Sequence, residues 1–164
     1  MDFLWSPWRM EYILSNKEQH GCVFCEVLEM DDGVGNLIIH RGRHAYVILN
    51  RFPYNTGHTL IIPFKHVPSY EELAPEERFE LMELVNTTTR VLRNVYHPQA
   101  FNVGANIGEA AGAGIAPHVH FHVLPRWSGD TNYLTTIAQT RIVPEDLCET
   151  YQRVHTAWLE SGTC

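Results

Sequence analysis

A chain of 164 residues, 45% hydrophobic and 19% charged, has the make-up of one globular domain with room for a core. Its formal net charge of −7 excludes a general attraction to nucleic acid polymers or anionic membranes, so a phosphorylated ligand would have to be held by local donors. No apolar run approaches the about 18 residues of a membrane span, and Met1 to Trp5 has neither region of a signal peptide, so a cytoplasmic chain with reduced cysteines is expected.

Residues 1–20 read as an N-terminal arm. Within it Pro7 can open a short helix, and Trp5, Trp8 and Tyr12 are expected to cap the core. Cys22-Val23-Phe24-Cys25 follows. In a reducing compartment C-x-x-C is a redox pair or half of a zinc site. A redox pair should open a helix after a strand, and nothing upstream reads as a strand. Zinc needs two more ligands, for which His66 and His118 are candidates. Two buried free thiols are the plain alternative.

Asn36 to His40 and Ala45 to Leu49 read as two strands joined by a hairpin turn, Arg41-Gly42-Arg43-His44. A loop with Pro53, Asn55 and Gly57 leads to a third strand, His58 to Pro63, which ends in Phe64-Lys65-His66. Ser69 to Leu73 is a short helical turn. Ala74-Pro75-Glu76-Glu77 then opens a long helix, with proline near its first position and acids in its first turn. Phe79, Leu81, Met82, Leu84, Val85, Val91, Leu92 and Val95 recur at helical spacing to about Tyr96, so this helix is expected to cover a sheet. Pro98 ends it, and Phe101 to Ala105 is the fourth strand.

Next come the glycine- and alanine-rich loop Gly104 to Gly114 and the run His118-Val119-His120-Phe121-His122-Val123-Leu124-Pro125-Arg126. Histidine and apolar residues alternate with period two, which predicts a fifth strand over His118 to Leu124. The three imidazoles then share one face, and Val119, Phe121 and Val123 the other. Such a row needs hydrogen-bond partners and suits phosphate oxygens, a metal or both. The loop can bring backbone N–H groups close to an anion. Gly129 to Asn132 is a polar loop, and Tyr133 to Val143 has no clear pattern. Pro144-Glu145-Asp146 starts a last helix, over 144–161, through Leu147, Tyr151, Val154 and Trp158. Cys148 and Cys164 have no ligand-like spacing.

The His-x-His-x-His run followed by two apolar residues resembles the histidine-triad superfamily of nucleotide hydrolases and transferases. The fuller run, from Phe101-Asn102-Val103-Gly104-Ala105-Asn106 through His118 to Arg126-Trp127-Ser128-Gly129-Asp130-Thr131-Asn132, looks like the branch with the bacterial diadenosine tetraphosphate phosphorylases. The resemblance runs from Leu4 to the C-terminal helix. With the element order it implies one α+β domain: a five-stranded antiparallel sheet, a long helix on one face, and the triad on the other. It further implies a homodimer joined through sheet and long helix, with the N-terminal arm at the dimer or substrate rim.

The resemblance also implies roles. His120 is the nucleophile at the α-phosphorus of a dinucleoside polyphosphate, His122 donates to phosphate or the bridging oxygen, and His118 joins Cys22, Cys25 and His66 around a structural Zn²⁺. An imidazole with a pKa of about 6.5 is neutral enough at pH 7 to attack phosphorus. Asn50 binds the ribose. His58, Asn106, and the N–H groups of Gly114 and Ile115 line the phosphates, and Arg126 neutralises the outer phosphates or the leaving group. Related hydrolases carry Gln and Thr before the triad, where this chain has Ala113-Gly114 and then Ile115. The acceptor is inorganic phosphate or water, with phosphorolysis expected. A nucleoside phosphoramidase, a nucleotide-binding regulatory module and a zinc-stabilised interaction domain are the rival classes.

Overall fold

The computed structural model describes residues 21–131 and 145–162. The arm over 1–20, the stretch Tyr133 to Val143 and Cys164 lie outside them. The first element is a single helical turn, α1 (Val23–Glu26), closed by the Cys25 and Glu26 N–H groups on the Cys22 carbonyl. Five strands follow: β1 (Ile38–Arg41), β2 (Ala45–Leu49), β3 (Thr59–Pro63), β4 (Ala100–Ala105) and β5 (Phe121–Arg126). They form one sheet in the order β1-β2-β3-β5-β4, every neighbouring pair antiparallel. Two helices complete the fold: α2 (Pro75–Tyr96) and α3 (Leu147–Glu160).

The central strands β2 and β3 are buried at every position, as apolar runs covered on both faces should be. One cover is helical: α2 lies on β2, β3 and β5, and α3 packs on α2 and β1. His40 of β1 stacks on Trp158 of α3 with ring centroids 5.0 Å apart. The register sets His40 opposite Val47, Val47 opposite Ile61 and Ile61 opposite Phe121, so these four share the helix side. By alternation Tyr46, Ile48, Leu60 and His122 share the other. There α1 forms part of the cover, tied down by the Tyr46 hydroxyl, which donates to the Phe24 carbonyl at 2.7 Å.

The capping chemistry matches the sequence. Pro75 is at the first position of α2, and Glu77 reaches back to accept the Ala74 N–H at 2.6 Å. Asp146 caps α3 by accepting the Glu149 N–H at 2.9 Å. The first strand is shifted to Ile38–Arg41 from the expected Asn36 to His40, and the last helix is Leu147–Glu160, shorter than the expected 144–161. Two further expectations need correction. Leu81, Leu84, Val85, Thr88, Val91 and Leu92 form the buried stripe of α2, whereas Phe79 and Met82, off that stripe, are 69% and 48% exposed. The fifth strand starts at Phe121, not His118. Beyond Ile61↔Phe121, β3 runs on to Pro63, which has no N–H to give a ladder. The Val119 N–H turns instead to the Val67 carbonyl at 2.8 Å. Among the described residues no helix is long and apolar enough to cross a membrane.

Candidate active site

Four histidines from two parts of the chain meet on the sheet face opposite the long helix. The loop between β2 and β3 supplies His58. It is closed by the Asn50 N–H on the His58 carbonyl at 2.8 Å and by the His58 N–H on the Asn55 carbonyl at 3.1 Å. Gly57 makes this turn possible. Its φ is +76°, and a Cβ there would lie 3.1 Å from Tyr96 and 3.2 Å from Leu92 of α2. His58 is thereby fully buried.

Each ring's proton follows from its partners. The Tyr54 N–H and the Asn50 side-chain amide both donate to Nδ1 of His58, at 3.1 and 3.2 Å. Nδ1 is therefore the acceptor, and the proton of neutral His58 sits on Nε2. That Nε2–H donates to Nδ1 of His122 at 2.9 Å. Neutral His122 must then carry its own proton on Nε2. His120 runs the opposite way. Its Nδ1 lies 2.9 Å from the His118 carbonyl, which can only accept, so Nδ1–H donates and Nε2 keeps a lone pair. The His120 and His122 rings are 5.0 Å apart, with Phe24 edge-on to His120 at 4.9 Å. A lone pair and an N–H donor thus stand on adjacent rings.

Burial holds both rings neutral. It lowers the pKa of His120, against the raising effect of its hydrogen bond to the His118 carbonyl. Burial and then the neighbouring His120 push His122 down to about 4. Beside His122, Gly104 of β4 occupies the directly opposed position, where an added Cβ would meet nothing within 4 Å. That leaves room on the open side of the ring pair.

His118 faces a different task. Its Nε2–H donates to the Pro63 carbonyl at 2.9 Å, which leaves the Nδ1 lone pair for the cluster. Nδ1 lies 3.3 Å from Sγ of Cys22 and 3.7 Å from Sγ of Cys25, and Nδ1 of His66 lies 3.4 Å from Sγ of Cys25. The donor atoms of Cys22, Cys25, His66 and His118 all lie within 4.8 Å of one another. A tetrahedron with zinc bonds of about 2.0–2.3 Å has sulfur–nitrogen edges of about 3.5 Å. The set therefore fits a tetrahedral N₂S₂ metal ion. Burial and the adjacent Cys22 push the Cys25 thiol up to about 11, a shift that a cation between the sulfurs would reverse.

The remaining expected residues fall around this core. Asn106 bridges its loop, its amide donating to the Gly112 carbonyl at 3.4 Å. The N–H groups of Gly114 and Ile115, just before the triad, have no partner among the described residues. The Asn50 amide oxygen accepts the Phe52 N–H at 3.0 Å, so this side chain braces its own loop as well as His58. Arg126 is paired through Nε and Nη2 with Asp130, at 2.6 and 2.8 Å, and its Nη1 donates to Asn102 at 2.6 Å. Sequence reasoning missed Phe24, Tyr54, Asn55 and Asp130. Tyr54 and Asn55 stood in the loop leading to His58, and Asp130 four places after Arg126, but only the fold turns them toward the site.

A profile of the HIT domain matches residues 35–129. The chain is 37% identical over 163 residues to a Mycobacterium tuberculosis protein named AP-4-A phosphorylase, covering 94% of this chain and 83% of that one. It is 34% identical over 97 residues to the asymmetrical bis(5'-nucleosyl)-tetraphosphatase of Schizosaccharomyces pombe, covering 59% of this chain and 53% of that one. Among solved structures, a zinc-bound histidine triad family protein from Mycobacterium smegmatis matches with a TM-score of 0.69 at 27% identity, over 86% of this chain and 95% of that one.

Proposed function

Because this chain belongs to the HIT domain family, we propose that it is an enzyme cleaving dinucleoside polyphosphates of the diadenosine tetraphosphate kind, with His120 as nucleophile. Two relatives named for enzymes of tetraphosphate cleavage support the substrate class. The observation that carries the mechanism is the pair of opposed tautomers. The His118 carbonyl holds the proton of His120 on Nδ1 and leaves Nε2 nucleophilic. His58 holds that of His122 on Nε2, as a donor beside it.

In the first step Nε2 of His120 forms a bond to the α-phosphorus. The bond from that phosphorus to the bridging oxygen breaks, and its electron pair leaves with the remaining phosphate chain. The Nε2–H of His122 donates to a phosphate or bridging oxygen as charge develops there. In the second step an acceptor oxygen attacks the nucleotidyl-histidine, the P–N bond breaks and His120 returns to its neutral form. The N–H groups of Gly114 and Ile115, with Asn106, face the phosphates as preset donors, and Asn50 lies beside the ribose.

Cys22, Cys25, His66 and His118 hold a structural Zn²⁺ in this reading. Bound there, the ion supplies folding free energy and no Lewis-acid role. Two copies join through the exposed edge strand β4 and α2, where Phe79, Met82, Val103 and Ile107 leave apolar surface uncovered.

Inorganic phosphate is favoured over water as acceptor. The small residues Ala113 and Gly114 leave space where related hydrolases carry larger polar groups, and the similarity to the phosphorylase extends over 94% of the chain. The test is diadenosine tetraphosphate with isotopically labelled phosphate. Phosphorolysis yields labelled ADP with ATP. AMP and ATP without label at millimolar phosphate would replace the phosphorylase reading by a hydrolase, and no turnover would remove both.

A further inference from the structure

Asp130 lies just past β5, outside the histidine row, yet it gathers bonds from three residues on two parts of the chain. Its Oδ2 accepts from Nε of Arg126 at 2.6 Å, the Trp127 N–H at 3.1 Å and Nδ2 of Asn55 at 2.8 Å. Its Oδ1 accepts from Nη2 of Arg126 at 2.8 Å. The side chain is only 11% exposed, and the Arg126 guanidinium holds its carboxyl well below the usual carboxylate range. Arg126 in turn reaches Asn102 of β4. Asn55 also donates to the Pro125 carbonyl of β5 at 3.2 Å. One ionised carboxylate thus joins the exit of β5, and through Arg126 also β4, to the loop that carries His58.

We propose that Arg126, Asp130 and Asn55 form a clasp that positions the His58–His122 pair, and that Arg126 serves the reaction through this clasp and not as a phosphate ligand. This rests on the catalytic reading of His120 and His122 given above. The β3–β5 ladder starts at Thr59, so it fixes the backbone beside His58 but not the loop before it. That loop sets the tautomer of His58, because the Tyr54 N–H and the Asn50 amide are the donors that occupy Nδ1. Asn55 is its anchor on both sides. Its carbonyl accepts the His58 N–H, and its side chain is held by Asp130 and β5. If the anchor slips, Nδ1 of His58 loses its donors and the 2.9 Å bond into His122 loses its fixed direction. A displacement of about 1 Å in a positioned group can cost about 10²-fold in rate.

Three single variants, Arg126→Ala, Asp130→Ala and Asn55→Ala, and the double variant Arg126→Ala/Asp130→Ala test this. In each single variant kcat for diadenosine tetraphosphate is expected to fall about tenfold or more, with KM within a few-fold of the parent. The double variant should be no worse than either single one, because one unit has been removed. Arg126→Lys, which keeps charge without the bidentate fork, should fall between. The second readout needs no substrate. ¹⁵N NMR of the imidazoles should show His58 and His122 protonated on Nε2 in the parent, and mixed tautomers in Asp130→Ala and Asn55→Ala.

A phosphate ligand behaves otherwise. Arg126→Ala would raise KM many-fold, while Asp130→Ala would leave kcat intact. That pattern, or unchanged tautomers in Asp130→Ala, overturns the clasp. Asn55→Ala leaves the ion pair whole, so it decides the matter if Asp130→Ala fails to fold. Absence of turnover in the parent would count against the proposed reaction alone, since the tautomer comparison still tests the clasp.

Discussion

Nε2 of His58 lies 2.9 Å from Nδ1 of His122, 64 residues further along the chain. The bond has a direction, because two donors occupy the other nitrogen of His58. His58 is therefore the residue that makes His122 an Nε2–H donor. His58→Ala is expected to lower kcat by about 10²-fold or more, the scale of losing a positioned proton donor. His58→Gln, which can place an amide N–H near the same point, should recover part of the loss. Steady-state kinetics on both variants checks this, and equal loss in the two would separate His122 from His58.

His120→Ala should abolish turnover while nucleotide binding remains measurable by calorimetry. Removing a covalent nucleophile costs orders of magnitude, whereas the groups proposed to hold phosphate stay in place. A variant keeping more than a few per cent of activity would assign the nucleophile elsewhere.

Stability should depend on pH through His122. Burial places its ring at about 4, against about 6.5 for a free imidazole. Between these values the unfolded chain binds more protons at this position than the folded one. Stability from this group is therefore complete above pH of about 6.5, and falls as pH drops toward 4. Urea unfolding across that window should show the fall, and His122→Gln should show a shallower one. The same slope in both proteins would remove His122 as its source.

Metal analysis should find about one zinc per chain in the purified protein, and far less in Cys22→Ser. Chelation should lower the melting temperature of the parent by several degrees and change that variant little, because a structural site contributes folding free energy. Undiminished zinc in Cys22→Ser would sink the four-ligand assignment.

Gly57→Ala should destabilise the fold by about 1–3 kcal/mol, the cost of a strained backbone conformation together with a Cβ pressed on its neighbours. The neighbours are Tyr96 and Leu92, at 3.1 and 3.2 Å. Thermal unfolding measures it, and a melting temperature within a degree of the parent would show that the loop has another way through.

The sequence by itself determined the local order of this protein. Alternation and helical spacing are properties of neighbouring residues, so β2 was legible as Ala45–Leu49, and the long helix, opened around Pro75 and running to about Tyr96, matches α2 (Pro75–Tyr96). Local spacing marked Cys22 and Cys25 as a pair of metal-type donors, whereas His66 and His118, 41 and 93 residues beyond Cys25, were joined to them only by the family resemblance. Only the tertiary structure decided how those parts are used. A pattern of hydrophobicity does not say that Pro63 will stop a ladder at Phe121, or that Phe79 and Met82 lie off the buried stripe of α2. Nor does it give a proton its place. The tautomers of His58 and His122 depend on donors from Tyr54 and Asn50, and the Arg126–Asp130 pair, itself only four residues apart, reaches the His58 loop through Asn55, 75 residues before Asp130. Hydrogen bonds have direction and reach only about 3 Å, so their partners are settled when distant segments come together.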